Sequence, residues 1–254
     1  MILRSTCTIF VHQKNKKNMK LLLISNSRLP GQAYLEYPKQ NIKDFLGEKK
    51  KNIIFIPYAA VTFSYDDYET KVNEALAEID VQVTSIHRFA SPIEALETAD
   101  AIIVGGGNTW QLVKVLHEKK VMKAIRRKVK KHGVPFIGWS AGSNIACPTL
   151  RTTNDMPIVE PKKFKTLEFV PFQINPHYLD EHPENHAGET REQRIGEFIE
   201  INRDVPVVGL REGTMLWVEN GKMSLHGHLT ARIFRHGKAP VELANMDDFS
   251  FLLR

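Results

Sequence analysis

The sequence predicts an α/β fold: a mainly parallel sheet flanked by helices, with a C-terminal antiparallel hairpin extension. Short apolar runs bounded by Gly, Pro, Asn or Ser alternate with amphipathic stretches, which is typical of parallel strands joined by helices. The chain has 254 residues, a length that single α/β domains often reach. Near the C-terminus, Asn220-Gly221 separates two strand-like runs and predicts a tight hairpin.

The first part of the chain contains the predicted parallel strands. Short apolar runs predict strands at residues 20–25, 52–56, 81–86, 101–104 and 135–138. The segments between them show the helical spacing of apolar residues, and Ser64 and Ser91 stand where a helix N-terminus needs a cap. A longer helical stretch at residues 108–132 is expected to be broken once.

The C-terminal part carries three more strand-like runs, at residues 205–210, 215–218 and 222–225. We expect these runs to extend the same sheet in antiparallel orientation. Because no linker, repeat or low-complexity segment divides the chain, residues 19–254 are expected to form a single domain. Residues 1–18 break with this composition and are expected to be a disordered N-terminal extension, with Met19 as the functional start.

The charge distribution argues against a nucleic-acid partner. The formal net charge is +6, but residues 1–18 alone carry +4 and the remaining chain carries +2. No apolar run approaches the ~20 residues of a membrane helix, so no membrane association is expected. The two cysteines, Cys7 and Cys147, cannot form a disulfide framework, which indicates a reducing, cytoplasmic compartment. Composition leaves the oligomeric state open.

The segment Gly138-Trp139-Ser140-Ala141-Gly142 is a complete G-x-S-x-G motif between a predicted strand and a helix-like segment. Such a turn exposes the serine hydroxyl, and side chains at the two glycine positions would clash. The amides that follow can stabilise an oxyanion. We therefore expect Ser140 to be a nucleophile and Ala141 to contribute to an oxyanion hole; the alternative is an inert turn.

A second turn, Gly105-Gly106-Gly107-Asn108-Thr109, also joins a predicted strand to a helix. Glycines allow close approach of a ligand and leave N–H groups free. Gly106 and Gly107 are therefore expected to be further oxyanion donors at the sheet edge that carries Ser140, unless the segment is only a tight turn. It lacks the G-x-G-x-x-G pattern of dinucleotide binding, and no cofactor is expected.

His177 is the candidate general base, because it follows an apolar run and Asn175-Pro176 is expected to form a turn that presents it. A metal site made of His177, His182 and His186 is the alternative. Their spacing in a Pro-containing loop differs from the i, i+4 histidine pair of zinc peptidases, so no metal is expected.

A third group must orient the imidazole of the candidate base. Asp155 and Glu212 both occupy predicted loop positions, and their spacing along the chain does not choose between them.

These motifs together resemble the peptidase E family, the α-aspartyl dipeptidases among the serine peptidases. The resemblance extends from Met19 to about Val218 and is carried by residues 21–31, 55–59, 102–112, 137–149, 151–159, 173–177 and 188–195. GWSAG, TTNDMP and NPH in one chain form a specific combination. The last thirty residues match no motif of the family, and Arg211 and Thr214 around Glu212 are less typical.

The resemblance implies a cytoplasmic enzyme that hydrolyses dipeptides with an N-terminal aspartate, Asp-Xaa, without a metal or another cofactor. It implies a fold similar to the class I glutamine amidotransferases, with serine in place of their cysteine. It also implies Ser140 as nucleophile and His177 as base, with Asp155 slightly ahead of Glu212 as the acidic partner.

An Asp-Xaa substrate brings two carboxylates, which the planar fork of arginine binds best. Arg151 and Arg191 lie in matched segments, and Arg191 is expected to bind the substrate β-carboxylate with help from Asn108. Two rival hypotheses are a cyanophycinase-type serine hydrolase of aspartyl bonds and a non-catalytic module that binds a small molecule through the glycine turn.

Overall fold

The structure is a computed structural model that describes residues 19–47, 52–180 and 188–254. The expected extension at residues 1–18 lies outside these ranges. Within them, no helix is long and apolar enough to cross a membrane. The strands are Leu21–Ile24 (β1), Ile53–Ile56 (β2), Val83–Ser85 (β3), Ala101–Val104 (β4), Phe136–Trp139 (β5), Gln173–Tyr178 (β6), Val207–Arg211 (β7), Thr214–Glu219 (β8), Lys222–Gly227 (β9), Ala231–Arg235 (β10) and Lys238–Leu243 (β11).

The helices lie between these strands, largely where the apolar spacing predicts them. They are Lys39–Leu46 (α1), Tyr65–Leu76 (α2), Pro92–Thr98 (α3), Thr109–Glu118 (α4), Met122–His132 (α5), Ala141–Asn144 (α6) and Arg191–Ile201 (α7), with 3₁₀ turns at Ala77–Ile79, Ile86–Arg88 and Ser250–Leu253. The side chains of Ser64, Ser91 and Asn108 cap α2, α3 and α4, as their residue types favour. The expected break in residues 108–132 separates α4 from α5.

A seven-stranded sheet with the order β3-β2-β4-β5-β1-β8-β9 forms the centre of the fold. Its first five strands are parallel, and the β8–β9 hairpin extends it in antiparallel orientation beside β1. Alternate residues of each central strand enter two separate apolar clusters: Leu21 and Leu23 of β1 face one, and Leu22 and Ile24 face the other. Because helices cover both faces, the strands are apolar throughout. The predicted α/β class is therefore confirmed.

The expectation that all three C-terminal runs extend one sheet is wrong for the first of them. β7 belongs to a second sheet with the order β11-β10-β7-β6, where it pairs in parallel with β6 and antiparallel with β10. The partners of β7 lie far along the chain, in β6 and β10. Local apolar patterning identifies a strand but does not specify its partner across such distances.

Glycines bring β5 and the following helix close enough to place a sharp turn between them. A Cβ on Gly138 would lie 2.3 Å from the carbonyl oxygen of Gly142, and a Cβ on Gly142 would lie 2.2 Å from that of Val104. Backbone atoms cannot move away as a flexible side chain can. Both positions therefore require glycine for steric reasons, as the sequence predicts.

Replacement of Gly142 by alanine tests this packing. We expect Gly142→Ala to lower the free energy of unfolding by about 1–3 kcal/mol or more, because the methyl group meets the Val104 carbonyl. Gly196→Ala is the matched control: a Cβ there meets no atom within 4 Å, and alanine should stabilise α7 by about 0.5–1 kcal/mol. Urea unfolding of both variants measures the difference, and equal effects would contradict the packing argument.

Candidate active site

Ser140 occupies the turn between β5 and α6 in a backbone conformation that non-glycine residues rarely adopt, with φ 53° and ψ −114°. Its amide donates to the carbonyl oxygen of Ile24 at 3.0 Å, and its own carbonyl accepts from the amides of Ser143 and Asn144. The helix that follows starts directly at Ala141. The turn presents the partly exposed Ser140 hydroxyl at the carboxyl edge of the parallel strands.

His177 lies beside Ser140, but a bulged strand presents it and not the expected Asn-Pro turn. Asn175 and Pro176 are within β6, and the register with β7 shifts between Pro176 and Tyr178, where His177 has φ 53°. β6 is an edge strand of its sheet, which is where a strand tolerates proline. The bulge turns the imidazole towards the serine: His177 Nε2 lies 2.9 Å from Ser140 Oγ.

Glu212 is the carboxylate that contacts this imidazole. Its Oε1 lies 2.6 Å from His177 Nδ1, and the residue sits in the turn between β7 and β8. Since an ionised carboxylate only accepts hydrogen bonds, Nδ1–H donates to Glu212 and Nε2 of a neutral ring is left to accept the Ser140 proton. The side chains of His177 and Glu212 remain 39% and 37% exposed, which leaves the chain of hydrogen bonds open to a ligand.

Asp155, which the sequence analysis placed slightly ahead of Glu212, makes different contacts. Its Oδ2 accepts hydrogen bonds from the Thr109 amide at 2.7 Å and from the Thr153 hydroxyl at 3.0 Å. Because Thr109 is the first residue of α4, Asp155 stabilises the start of that helix. The sequence analysis preferred Asp155 as the acidic partner of His177. In the structure Glu212, and not Asp155, contacts the His177 ring. The two carboxylates occupy similar loops in the sequence, and only their three-dimensional placement separates them.

The alternative metal site falls largely outside the described residues, since His182 and His186 lie at residues 181–187. Of the neighbouring carboxylates, Asp180 binds Arg211. Among residues 19–47, 52–180 and 188–254, no group of three or more His, Cys, Asp or Glu side chains could hold a metal ion.

Three consecutive residues at the end of β1, which the sequence analysis did not single out, hold the segments of Ser140, His177 and Glu212. The Ile24 carbonyl accepts from the Ser140 amide, and the Ser25 hydroxyl accepts from the His177 amide at 3.0 Å. That hydroxyl donates to the Leu210 carbonyl at 2.7 Å.

Asn26 completes this set beside Glu212. Its Oδ1 accepts from the Gly213 amide at 2.9 Å and from the Tyr37 hydroxyl at 2.6 Å. Ser25 and Asn26 are buried polar residues. The sequence signal that could have identified them is a pair of polar residues directly after an apolar strand.

The glycine turn lies against the serine. A Cβ on Gly106 would lie 3.1 Å from the Cβ of Ser140, so the two turns are in contact. Gly107 has φ 131° and packs on the Ala59 carbonyl, where a Cβ would lie 2.3 Å from the oxygen. Within the described part of the chain, the amides of Gly106 and Gly107 donate to no partner. The Asn108 side chain caps α4 and donates to the Met156 carbonyl at 2.9 Å.

A cavity of about 230 Å³, lined in part by Asn175 two residues before His177, contains the predicted binding residues Arg151 and Arg191. Arg191 donates to Asn154 Oδ1 at 2.6 Å, and Asn154 donates to the carbonyl of Pro176, the residue before His177. Burial of the Arg191 guanidinium and the nearby charge of Arg194 lower the pKa of Arg191. The lining residues are Arg151, Thr152, Thr153, Asn154, Asp155, Asn175, Arg191, Arg194, Ile195 and Phe198.

An ion-pair network stabilises the strand ends that carry His177 and Glu212. The Arg211 guanidinium, only 12% exposed, donates to both oxygens of Asp180 at 2.6 and 2.7 Å and to both oxygens of Glu242 at 2.8 and 3.0 Å. It also lies over the ring of Tyr178. Arg211 thus connects β7, β11 and the segment that follows β6.

Comparison with known proteins shows close relatives. The family model described as peptidase family S51 matches residues 21–226. The chain is 50% identical over 234 residues to Peptidase E of Nostoc sp., covering 92% of this chain and 96% of that protein. It is 48% identical over 225 residues to Peptidase E of Salmonella typhimurium, covering 89% of this chain and 97% of that protein.

Two solved structures share the fold. A peptidase from an acI-B1 actinobacterium superposes with a TM-score of 0.64 at 17% identity, covering 92% of this chain and 98% of that one. A putative peptidase E protein from Listeria monocytogenes EGD-e superposes with a TM-score of 0.53 at 21% identity, covering 89% and 98%. At these identities the likeness shows the fold alone.

The buried hydroxyl of Ser25 gives a prediction about stability. Ser25→Ala leaves the His177 amide and the Leu210 carbonyl without their partner, and each unsatisfied buried group costs about 1–3 kcal/mol. Ser91→Ala, which removes only an exposed helix cap, should cost about 1 kcal/mol. Urea unfolding compares the variants, and an equal or smaller loss for Ser25→Ala would contradict the bridging role.

The Arg211 network predicts how stability depends on pH. Hydrogen bonds from Arg211 hold the pKa values of Asp180 and Glu242 below their ordinary 3.8 and 4.5. A carboxylate with a lowered pKa contributes stability above its unfolded-state pKa, and this contribution disappears as the pH falls through the folded-state value. Arg211→Met should therefore destabilise the protein most at pH 7, and the difference from wild type should narrow below pH about 4.

Arg203→Met is the matched control, because Arg203 pairs with Glu200 on the surface, where the two side chains are 63% and 58% exposed. It should change little at any pH. Urea unfolding at several pH values measures both variants. A wild-type advantage over Arg211→Met that stays constant down to pH 3 would contradict the predicted linkage.

Proposed function

Because the chain belongs to peptidase family S51 and is a peptidase, we propose a specific activity for it. We propose that it is a serine dipeptidase that hydrolyses Asp-Xaa dipeptides. Ser140 is the nucleophile, His177 the general base and Glu212 the acidic partner. The observation that carries the proposal is the continuous pair of hydrogen bonds from Glu212 through His177 to Ser140. A cytoplasmic location, which accords with the low cysteine content, is part of the proposal.

The proposed reaction has two halves, acylation of Ser140 and hydrolysis of the resulting ester, and His177 takes up and releases one proton in each. His177 Nε2 takes the Ser140 proton as Oγ attacks the carbonyl carbon of the Asp-Xaa bond, and Glu212 stabilises the resulting imidazolium. The imidazolium then gives that proton to the leaving amine, which departs as the free amino acid. An aspartyl ester remains on Ser140. Water, deprotonated by His177, attacks this ester, and the proton returns to Ser140 Oγ as aspartate leaves.

The carbonyl oxygen becomes an oxyanion in both halves and needs donors that are already in place. The Ala141 amide stands directly after the nucleophile. The amides of Gly106 and Gly107, which have no partner among the residues that the structure describes, lie in the adjoining turn. The position of all three at one sheet edge supports their proposed role as the oxyanion hole.

The cavity lined by Arg191, Asn154 and Asn175 is the proposed site for the substrate aspartate. Arg191 makes no ion pair within the described residues, so its half-buried guanidinium is available to the β-carboxylate. Asp155 uses Oδ2 for its own hydrogen bonds, and its second oxygen is proposed to bind the substrate ammonium group. Arg151, whose side chain lies over the Phe198 ring, lines this cavity and is proposed to bind the substrate there. Asn108, next to the glycine turn, is proposed to assist Arg191.

Membership of a peptidase family does not fit the non-catalytic binding module considered from the sequence. A comparison of Asp-Leu with polymeric aspartyl-arginine tests the cyanophycinase-type alternative. The protein should hydrolyse Asp-Leu and leave the polymer intact.

Two carboxamide variants test which acid serves His177. Glu212→Gln should lower kcat for Asp-Leu by about 10³–10⁴-fold, because an amide cannot stabilise the imidazolium. Asp155→Asn should mainly raise KM, since the substrate ammonium loses its proposed partner. Ser140→Ala, the reference for lost nucleophilic catalysis, should abolish turnover and keep its unfolding midpoint. A larger loss of kcat in Asp155→Asn than in Glu212→Gln would contradict the assignment.

The aspartate site is tested at Arg191. Arg191→Ala should lower kcat/KM for Asp-Leu by more than about a hundredfold, because a desolvated arginine–carboxylate contact is worth about 2–5 kcal/mol. Its Ser140 should still react normally with a small uncharged acylating reagent. Arg203→Ala, on the surface beyond α7, is the matched control and should change neither rate. If Arg191→Ala lowered Asp-Leu hydrolysis and the acylation of Ser140 equally, Arg191 would support the fold. The aspartate site would then have to be sought around Arg151.

A further inference from the structure

A buried hydroxyl, that of Tyr68 on α2, connects the two turns of the proposed active site. It lies 3.0 Å from the Gly106 carbonyl oxygen, 3.3 Å from the indole nitrogen of Trp139 and 3.2 Å from the Tyr34 hydroxyl. Trp139 directly precedes Ser140, and Gly106 belongs to the glycine turn. One oxygen atom therefore contacts both the nucleophile turn and the turn that holds the proposed oxyanion donors.

The direction of each hydrogen bond follows from chemistry. A carbonyl oxygen only accepts and an indole N–H only donates, so Tyr68 donates its single proton to Gly106 and accepts from Trp139. The remaining lone pair of Tyr68 accepts from Tyr34. All the hydrogen-bonding capacity of the hydroxyl is thus used. Burial also raises the pKa of Tyr68, which keeps the donated proton in place.

The bond to Gly106 also orients the amide of Gly107. The Gly106 carbonyl and the Gly107 N–H belong to one planar trans peptide unit, in which the two groups point in opposite directions. Tyr68 holds the oxygen from the protein interior. The Gly107 N–H therefore points away from Tyr68, on the partly solvated side, where Gly107 is exposed and the amide has no partner among the described residues.

Tight packing leaves Tyr68 no alternative position. A Cβ on Gly105 would lie 2.5 Å from the Tyr68 hydroxyl, so the glycine lets the phenol approach this closely. The Tyr68 ring packs edge-to-face on Phe55 and Phe63, with centroids 5.0 and 5.1 Å apart. These contacts hold its hydroxyl against the glycine turn.

We propose that Tyr68 is a positioning residue that orients the Gly107 amide towards the oxyanion formed during attack by Ser140. The inference rests on the proposed serine mechanism and extends it to a residue that touches neither the substrate nor the reacting atoms. Tyr68 matters more to the transition state than to the bound substrate, because a neutral carbonyl needs the oriented donor less than an oxyanion does.

Two tyrosine-to-phenylalanine variants separate positioning from general loss of packing. Tyr68→Phe keeps the ring and removes the donor to Gly106; Tyr34→Phe is the matched control, because it removes a hydrogen bond to the same oxygen but leaves the bond to Gly106. The rate of Asp-Leu hydrolysis is divided by the concentration of reactive Ser140, which is titrated with a fluorophosphonate. Unfolded protein then does not lower the measured kcat.

We expect Tyr68→Phe to lower kcat by about tenfold, less than the about 10²–10³-fold cost of deleting a donor outright, with KM changed by less than about twofold. Tyr34→Phe should stay within about twofold of wild type. An aldehyde analogue of aspartate forms an adduct with serine that carries the oxyanion. Its affinity for Tyr68→Phe should fall by the same factor as kcat. Gly105→Ala, which displaces the Tyr68 hydroxyl, should reproduce the effect.

Equal kcat values for Tyr68→Phe and Tyr34→Phe would overturn the inference, as would a rise in KM with unchanged kcat or unaltered binding of the aldehyde. A wild-type protein that fails to hydrolyse Asp-Leu would instead overturn the proposed function, and with it this role for Tyr68. The two failures are therefore distinct.

Discussion

The end of β1 is the constraint on which the geometry of the site depends. Ser140 and His177 both have φ near 53°, a conformation that costs about 1–3 kcal/mol for a residue with a side chain and persists only where the surroundings hold it. The surroundings here are Ile24, the last residue of the central strand β1, and the two residues that follow it. Ile24 holds the Ser140 amide, Ser25 holds the His177 amide, and Asn26 holds the turn beside Glu212. Three segments far apart in the chain are thereby fixed to one short element in the core.

This arrangement explains why the hydrogen-bonded chain forms between two sheets. Ser140 follows a strand of the large sheet, whereas His177 lies in β6 and Glu212 follows β7, two neighbouring strands of the smaller sheet. The Ser25 hydroxyl joins them by contacting both His177 and Leu210. Arg211, next to Glu212, then ties the outer strands of the small sheet together through two carboxylates. The proposed catalytic side chains can stay partly exposed because backbone contacts beneath them provide the rigidity.

Local sequence signals predicted the parallel strands, the helix caps and the G-x-S-x-G turn, since each of these depends on residues close together in the chain. The caps of Ser64 and Ser91 at the starts of α2 and α3 are examples. Features that depend on distant pairing were not predictable in the same way. The place of β7 in a second sheet and the bulge that presents His177 both follow from pairing with remote strands. The contact of Glu212 with His177, in preference to Asp155, likewise follows from the fold and not from spacing.

The most direct measurement for the proposed mechanism is the detection of a covalent intermediate on Ser140. An activated aryl ester of aspartate should acylate the protein faster than water releases the product. We expect a burst of aryl alcohol equal to the concentration of active protein, and an aspartyl ester on the acid-quenched peptide that contains Ser140. Hydrolysis of this ester at full rate with no burst and an unmodified Ser140 peptide would contradict the mechanism.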